Sequence, residues 1–95
     1  MNSKGKRQDT KELFESILSL KTVKECELFF DDLCTVSELN TLSQRISVAK
    51  MLRQNMVYSD IAAKTGASSA TISRVARCIN YGDGGYNIAL DRIAK

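Results

Sequence analysis

The chain has 95 residues, of which 43% are hydrophobic and 26% are charged, and its net charge is +3. A single domain of this length buries only a modest share of its surface, so a partner subunit would add to its stability. No apolar run reaches membrane-spanning length, and the first eight residues lack the apolar segment of a signal peptide, which favours a cytoplasmic protein.

Apolar residues recur with helical spacing along nearly the whole chain, which predicts an all-α fold of about six short helices. Residues 1–8 are basic and are expected to form a disordered leader. The first helix should begin at Asp9 or Thr10, and a capping box of Thr22 with Glu25 should open the second. Their apolar faces comprise Leu13, Phe14, Ile17, Leu18 and Leu20, then Leu28, Phe29, Phe30 and Leu33. These faces are wider than one chain can cover.

A third helix is expected after Thr35, which repeats the capping box with Glu38, and it should end near Asn55. Its inward-facing residues are predicted to be Leu39, Leu42, Ile46, Ala49 and Leu52. At the other end of the chain, a flexible glycine-rich loop at 82–85 should precede a last short helix over 86–94. The apolar residues of that helix are Tyr86, Ile88, Ala89, Leu90 and Ile93.

Between these elements, the sequence YSDIAAKTGASSATISRVAR at 58–77 predicts two short helices joined by a tight turn. Gly66 can adopt the left-handed conformation that ends the first helix. Ser68 is a candidate N-cap of the second, accepting from the amide of Ala70 or Thr71. The inward-facing residues are Ile61, Thr65, Ala67, Ile72, Val75 and Ile79, and those left outside are Ser69, Ala70, Ser73, Arg74 and Arg77. This pattern is typical of a helix-turn-helix, here over 57–80.

Charge is distributed unevenly along the chain. Residues 44–77 contain six basic residues and one acid, a net charge of +5, whereas residues 9–43 contain three lysines and eight acids, a net charge of −5. The basic residues of the first range are Arg45, Lys50, Arg53, Lys64, Arg74 and Arg77. Because neutralising phosphates releases counterions, such a surface would bind duplex DNA with a steep dependence on salt.

The sequence offers little for catalysis or for metal binding. It contains no histidine, no nucleophile elbow and no phosphate-binding loop, and the glycine-rich loop at 82–85 lacks the further carboxylates of a calcium site. Cys26, Cys34 and Cys78 are widely spaced and odd in number, which favours reduced, buried thiols. We therefore expect a protein that is not an enzyme and needs no metal or resident cofactor.

The segment at 58–77 resembles the helix-turn-helix of bacterial repressors. By that resemblance, the residues that meet base edges are Ser69, Ala70, Ser73 and Arg74, and those that meet phosphates are Tyr58, Ser59, Ser68 and Thr71, with Arg77 on the same exposed face. The leading prediction is a sequence-specific, homodimeric transcription regulator, most simply a repressor. The alternatives are a protein-interaction module that docks through the helix pair and, a distant third, an enzyme acting on nucleic acid.

Longer segments resemble the tryptophan repressor family, and in particular its TrpR-like YerC/YecD branch. They are DLCTVSELNTLSQRISVAKML, YSDIAAKTGASSATISRV and the ending NYGDGGYNIALDR. The resemblance implies a single Trp-repressor-like domain over 9–95, in which helices of 9–55 from two subunits intertwine. One helix-turn-helix at each end of the dimer would then read a pseudo-palindromic operator in double-stranded DNA.

The same resemblance implies an effector pocket. In the tryptophan repressor two arginines clamp the amino acid against the recognition helix; Arg45 and Arg74 match them, and Thr35 matches a residue at the pocket rim. Val75 and Cys78 stand where the repressor has a glycine and a serine, which disfavours tryptophan and leaves another small-molecule co-repressor, or none. The competing roles are a salt bridge to an acid of the dimer body for Arg45 and plain DNA contact for Arg74.

Overall fold

A computed structural model describes residues 9–94, and the predicted leader at 1–8 lies outside them. The described chain forms six α-helices, which confirms the all-α prediction. The helices are α1 (Lys11–Ser19), α2 (Val23–Leu33), α3 (Val36–Arg53), α4 (Tyr58–Thr65), α5 (Ser69–Tyr81) and α6 (Gly85–Ile93). None of these helices is long and apolar enough to cross a membrane. The chain divides after Val36 into an N-terminal unit and a C-terminal unit.

The N-terminal unit contains α1 and α2. The amide of Lys11 donates to the Asp9 side chain (3.3 Å) at the start of α1. At the start of α2 the Thr22 hydroxyl accepts from the amide of Glu25 (3.0 Å), as the capping box predicts. The Glu25 carboxylate, however, accepts from the amide of Lys21 (2.8 Å), one residue before the expected partner. Neither helix has a buried side chain.

The C-terminal unit has a compact apolar core. It is built from Val48, Ala49, Ile61, Ala67, Ile72, Val75 and Leu90, which come from α3, α4, α5, α6 and the turn between α4 and α5. Four of these, Val48, Ile61, Ile72 and Val75, are at most 1% exposed. Burying a branched side chain of this size contributes about 1.5–3 kcal/mol, so this core accounts for much of the stability of the unit.

The predicted inward face of α3 is partly wrong. Leu42 and Ile46 are 42% and 43% exposed, whereas Val48, which was not predicted to face inward, is fully buried beside Ala49. Two residues along an α-helix turn the side chain by about 200°, so Ile46 and Val48 lie on different sides of the helix. Apolar residues occur around most of α3, and periodicity selected a stripe that the C-terminal unit does not cover.

The C-terminal end of α3 has a defined cap. Beyond α3, Asn55 is left-handed (φ 61°), and the amides of Asn55 and Met56 donate to the carbonyls of Leu52 (3.0 Å) and Met51 (3.1 Å). This is the hydrogen-bond pattern of a Schellman motif, and it confirms the predicted end of the helix. Cys26, Cys34 and Cys78 are free thiols, and they are half-buried rather than buried as expected.

The loop at 82–85 ends α5 and begins α6 in a defined geometry. The amide of Gly82 donates to the carbonyl of Cys78 (2.9 Å), and Gly84 is left-handed (φ 89°). In α6, Leu90 is buried and Tyr86 packs against the core, but Ile88 and Ile93 are 53% and 69% exposed. The last helix therefore attaches to the unit through one side only.

Candidate nucleic-acid interface

The turn between α4 and α5 has the geometry that its sequence predicts. Gly66 is left-handed (φ 76°), and its amide donates to the carbonyl of Ala62 (2.8 Å), which ends α4. The hydroxyl of Ser68 accepts from the amide of Thr71 (3.1 Å), which begins α5. Ala67 is 5% exposed and packs in the core between the two helices. The two helices are therefore joined by three residues, each with a distinct local role.

One side of α5 is exposed, and we call it the outer face of α5. It carries Ser69, Ala70, Ser73, Arg74 and Arg77, all exposed as predicted, while Ile72 and Val75 of the same helix are buried. The outer face combines short side chains, which let the backbone approach a partner closely, with two guanidinium groups. Its chemistry suits the edges of bases in a DNA groove, where arginine donates to guanine and serine donates or accepts.

The residues predicted to meet phosphates occupy two places. Tyr58 and Ser59 lie at the start of α4 and are exposed. Ser68 is the N-cap of α5 and Thr71 lies in the first turn, and the Ser68 hydroxyl also donates to the Thr71 hydroxyl oxygen (3.2 Å). Since a hydroxyl has one donor, this bond engages the donor of Ser68 and leaves the hydrogen of the Thr71 hydroxyl for another acceptor.

Sequence reasoning missed one residue of this face. Tyr81 lies four residues after Arg77, at the last position of α5, and its side chain is 85% exposed. Residues four apart share a face of a helix, so this spacing was the signal. The predicted helix-turn-helix ended at residue 80, whereas α5 extends to Tyr81.

Not all the basic residues of 44–77 lie on the outer face of α5. Arg53 forms an ion pair with Asp91 and donates from Nη1 to the carbonyl of Asn87 (3.2 Å), both in α6. The Arg53 side chain therefore links α6 to the end of α3. Arg74 and Arg77 lie on the outer face of α5, and Lys64 is exposed in the last turn of α4.

The predicted effector residues lie on separate elements. Thr35 is exposed and directly precedes α3, Arg45 is half-buried on α3, and Arg74 is exposed on α5. Val75 packs in the core of the C-terminal unit at 1% exposure, and Cys78 is half-buried. Among residues 9–94, no cluster of three or more carboxylates or thiols is placed to hold a metal ion.

Comparison with known proteins places this geometry in a family. The model of the Trp repressor protein family matches residues 8–94. The YerC protein of Bacillus subtilis (strain 168) is 57% identical over 92 residues, which cover 97% of this chain and 86% of that protein.

Two solved structures are also similar. A TrpR-like protein from Eubacterium eligens is 54% identical, with a TM-score of 0.89 over 98% of this chain and 96% of that one. A candidate Trp repressor from Staphylococcus aureus is 47% identical, with a TM-score of 0.89 over 99% of this chain and 95% of that one. The chain belongs to the Trp repressor family, and within it to the TrpR-like YerC branch.

Proposed function

We propose that the protein is a homodimeric transcription regulator that binds double-stranded DNA in a sequence-specific manner through α4 and α5. The observation that carries this proposal is the outer face of α5, which is short, polar and basic on a helix whose opposite side is buried. Arg74 would donate to the O6 and N7 atoms of guanine, and Ser69 and Ser73 would contact neighbouring bases. Where the operator overlaps a promoter, binding would exclude the polymerase and repress transcription.

The exposed apolar side chains of the N-terminal unit support the dimer. Leu18, Val23 and Leu28 are 86%, 77% and 55% exposed in the single chain, and neither α1 nor α2 buries a side chain. Apolar side chains exposed to this extent support the proposal that another chain covers them. A two-fold dimer would carry two copies of α5 and would read half-sites about one helical turn of DNA apart.

We further propose that Arg45 and Arg74 bind a small-molecule effector in the dimer. A guanidinium pairs with a carboxylate and stacks on a planar ring, so the ligand would be a small acid with an unsaturated or aromatic group. Tryptophan is disfavoured because Val75 and Cys78 replace the glycine and the serine of the repressor. Arg74 would then serve both DNA and ligand.

The test is selection of bound duplexes from a random library, followed by sequencing. The proposal expects an enriched motif with two-fold symmetry, and expects the Ser73→Ala, Arg74→Ala double variant to lose that enrichment while remaining folded. The Glu27→Ala variant alters an exposed polar side chain of α2, outside α4 and α5, and should enrich the same motif. Absence of any motif from the wild-type protein would overturn the proposal and favour the docking module, which would keep a protein partner in the double variant.

A further inference from the structure

Gln44 of α3 makes a contact that the helix-turn-helix pattern does not contain. Its side-chain Nε2 donates to the backbone carbonyl of Thr65 (3.1 Å), the last residue of α4, and both residues are half-buried. The carbonyls in the last turn of a helix have no partner within that helix. Gln44 therefore satisfies one of these orphan acceptors from an element 21 residues away.

The other polar groups around Thr65 are engaged within the turn. Its hydroxyl donates to the carbonyl of Ile61 (2.7 Å) and accepts from the amide of Ala67 (3.1 Å). The turn is thus internally fixed by Thr65 and Gly66, and Gln44 connects this fixed unit to α3. We call the hydrogen bond from Gln44 to Thr65 the turn brace.

The turn brace lies one helical turn before the buried part of α3. Gln44 and Val48 are four residues apart and share a face of α3, just as Ile61 and Thr65 do on α4. Val48 and Ile61 are both fully buried in the same core. Beside the brace, however, lies an open depression of about 370 Å³, partly lined by Ser47 and Lys64. The turn brace therefore lies at an open edge of the region between α3 and α4.

We propose that Gln44 is a positioning residue for DNA recognition, which fixes the direction of the outer face of α5 relative to α3. This inference rests on the proposed function. Apolar contacts are non-directional and tolerate small rotations, whereas a hydrogen bond has a preferred angle and length. From Ser69 to Arg77 the helix rises about 12 Å, so a rotation of about 5° at the turn moves Arg77 by about 1 Å. Productive contact geometry tolerates about 0.5 Å.

The experiment replaces Gln44 with a side chain of similar size that cannot donate. Gln44→Met removes both N–H groups, and Gln44→Glu is a second variant without an amide donor should the first fold poorly. Gln54→Met is the matched control, because Gln54 is exposed directly after the end of α3. The fraction of protein molecules able to bind DNA is measured first for each variant. Each variant is then titrated with the preferred duplex and with random duplex over a range of salt concentrations.

The measured quantity is the ratio of the affinity for the preferred duplex to that for random duplex. In Gln44→Met and Gln44→Glu this ratio should fall about two- to twelvefold, the range that corresponds to the net contribution of one hydrogen bond. For Gln44→Met the affinity for random duplex and the salt slope should not change, because the phosphate contacts remain. The ratio is used because it cancels the added charge of the glutamate.

The outcomes separate this inference from the proposed function. If the wild-type protein binds no duplex better than random duplex, the proposed function fails, and the proposed role of Gln44 fails as well. If the wild-type protein shows a preference and both variants keep the wild-type ratio, Gln44 does not position the recognition helix. If Gln44→Met lowers both affinities equally, together with the melting temperature, its role is structural and the inference is overturned.

Discussion

The substitution Gly66→Ala tests the turn on which the whole interface depends. Gly66 has φ 76° and ψ 4°, and a Cβ atom built there meets no heavy atom within 4 Å. The effect is therefore purely local, because no neighbouring side chain has to move. A residue other than glycine in the left-handed region costs about 1–2 kcal/mol, partly offset by about 0.4–1 kcal/mol from the smaller entropy of the unfolded chain. We expect a net loss of about 1 kcal/mol in the free energy of unfolding.

The assay is equilibrium unfolding in urea at one fixed protein concentration, because the stability of the proposed dimer would depend on concentration. Gly85→Ala is the matched control, since Gly85 begins α6 outside the left-handed region and a Cβ there also meets nothing within 4 Å. That variant should be neutral or more stable by about 0.5 kcal/mol. Gly66→Asn should lie between wild type and Gly66→Ala, because asparagine tolerates this conformation, as Asn55 does in this chain (φ 61°).

The reasoning is refuted if Gly66→Ala is as stable as Gly85→Ala. Equal stability would mean that the backbone around Gly66 relaxes out of the left-handed region without cost, and the turn could then not define the angle between α4 and α5. A second contradiction would be a Gly66→Asn variant less stable than Gly66→Ala.

Three further predictions address the cap, the charges and the dimer. Ser68→Ala should cost about 1 kcal/mol of stability through loss of the N-cap, whereas Ser68→Asp should keep the cap and the stability but weaken DNA binding by repelling phosphates. Arg74→Ala should lower the affinity for the preferred duplex by about 1–3 kcal/mol. Arg53→Ala should leave that affinity nearly unchanged because Arg53 pairs with Asp91. Titrating the Arg74→Ala and Arg53→Ala variants with the preferred duplex tests this difference. Leu18→Glu should shift sedimentation equilibrium towards monomer; an unshifted dimer would exclude Leu18 from the interface.

The local structure could be predicted from the sequence because its signals act over a few residues. Gly66 and Ser68 define the turn by backbone conformation and by capping, and neither depends on the rest of the fold. The burial of Ile61, Ile72 and Val75 followed from helical spacing in short helices with one apolar side. The exposure of the outer face of α5 then followed as the complement of that stripe.

The interactions between helices could not be predicted in the same way. Val48 was missed because α3 is apolar on more than one side, and periodicity does not say which side meets the C-terminal unit. The pairing of Arg53 with Asp91 and the bond from Gln44 to Thr65 join residues far apart in sequence. Such pairs depend on how the helices pack, so charge counts along the chain overstated the basic surface by including Arg53.

The chemistry of the outer face of α5 has a consequence for assembly. Arg74 is the side chain best suited to a two-point contact with one base, which discriminates by about 1–3 kcal/mol, and the serines and alanine around it add weaker contacts. A regulator needs about 4–10 kcal/mol of preference over random DNA. One copy of α5 falls short of this range, whereas two copies acting together approach it, and the shape of the DNA between the half-sites can supply the remainder. The short side chains of α5 therefore support the proposed dimer independently of the exposed apolar residues of α1 and α2.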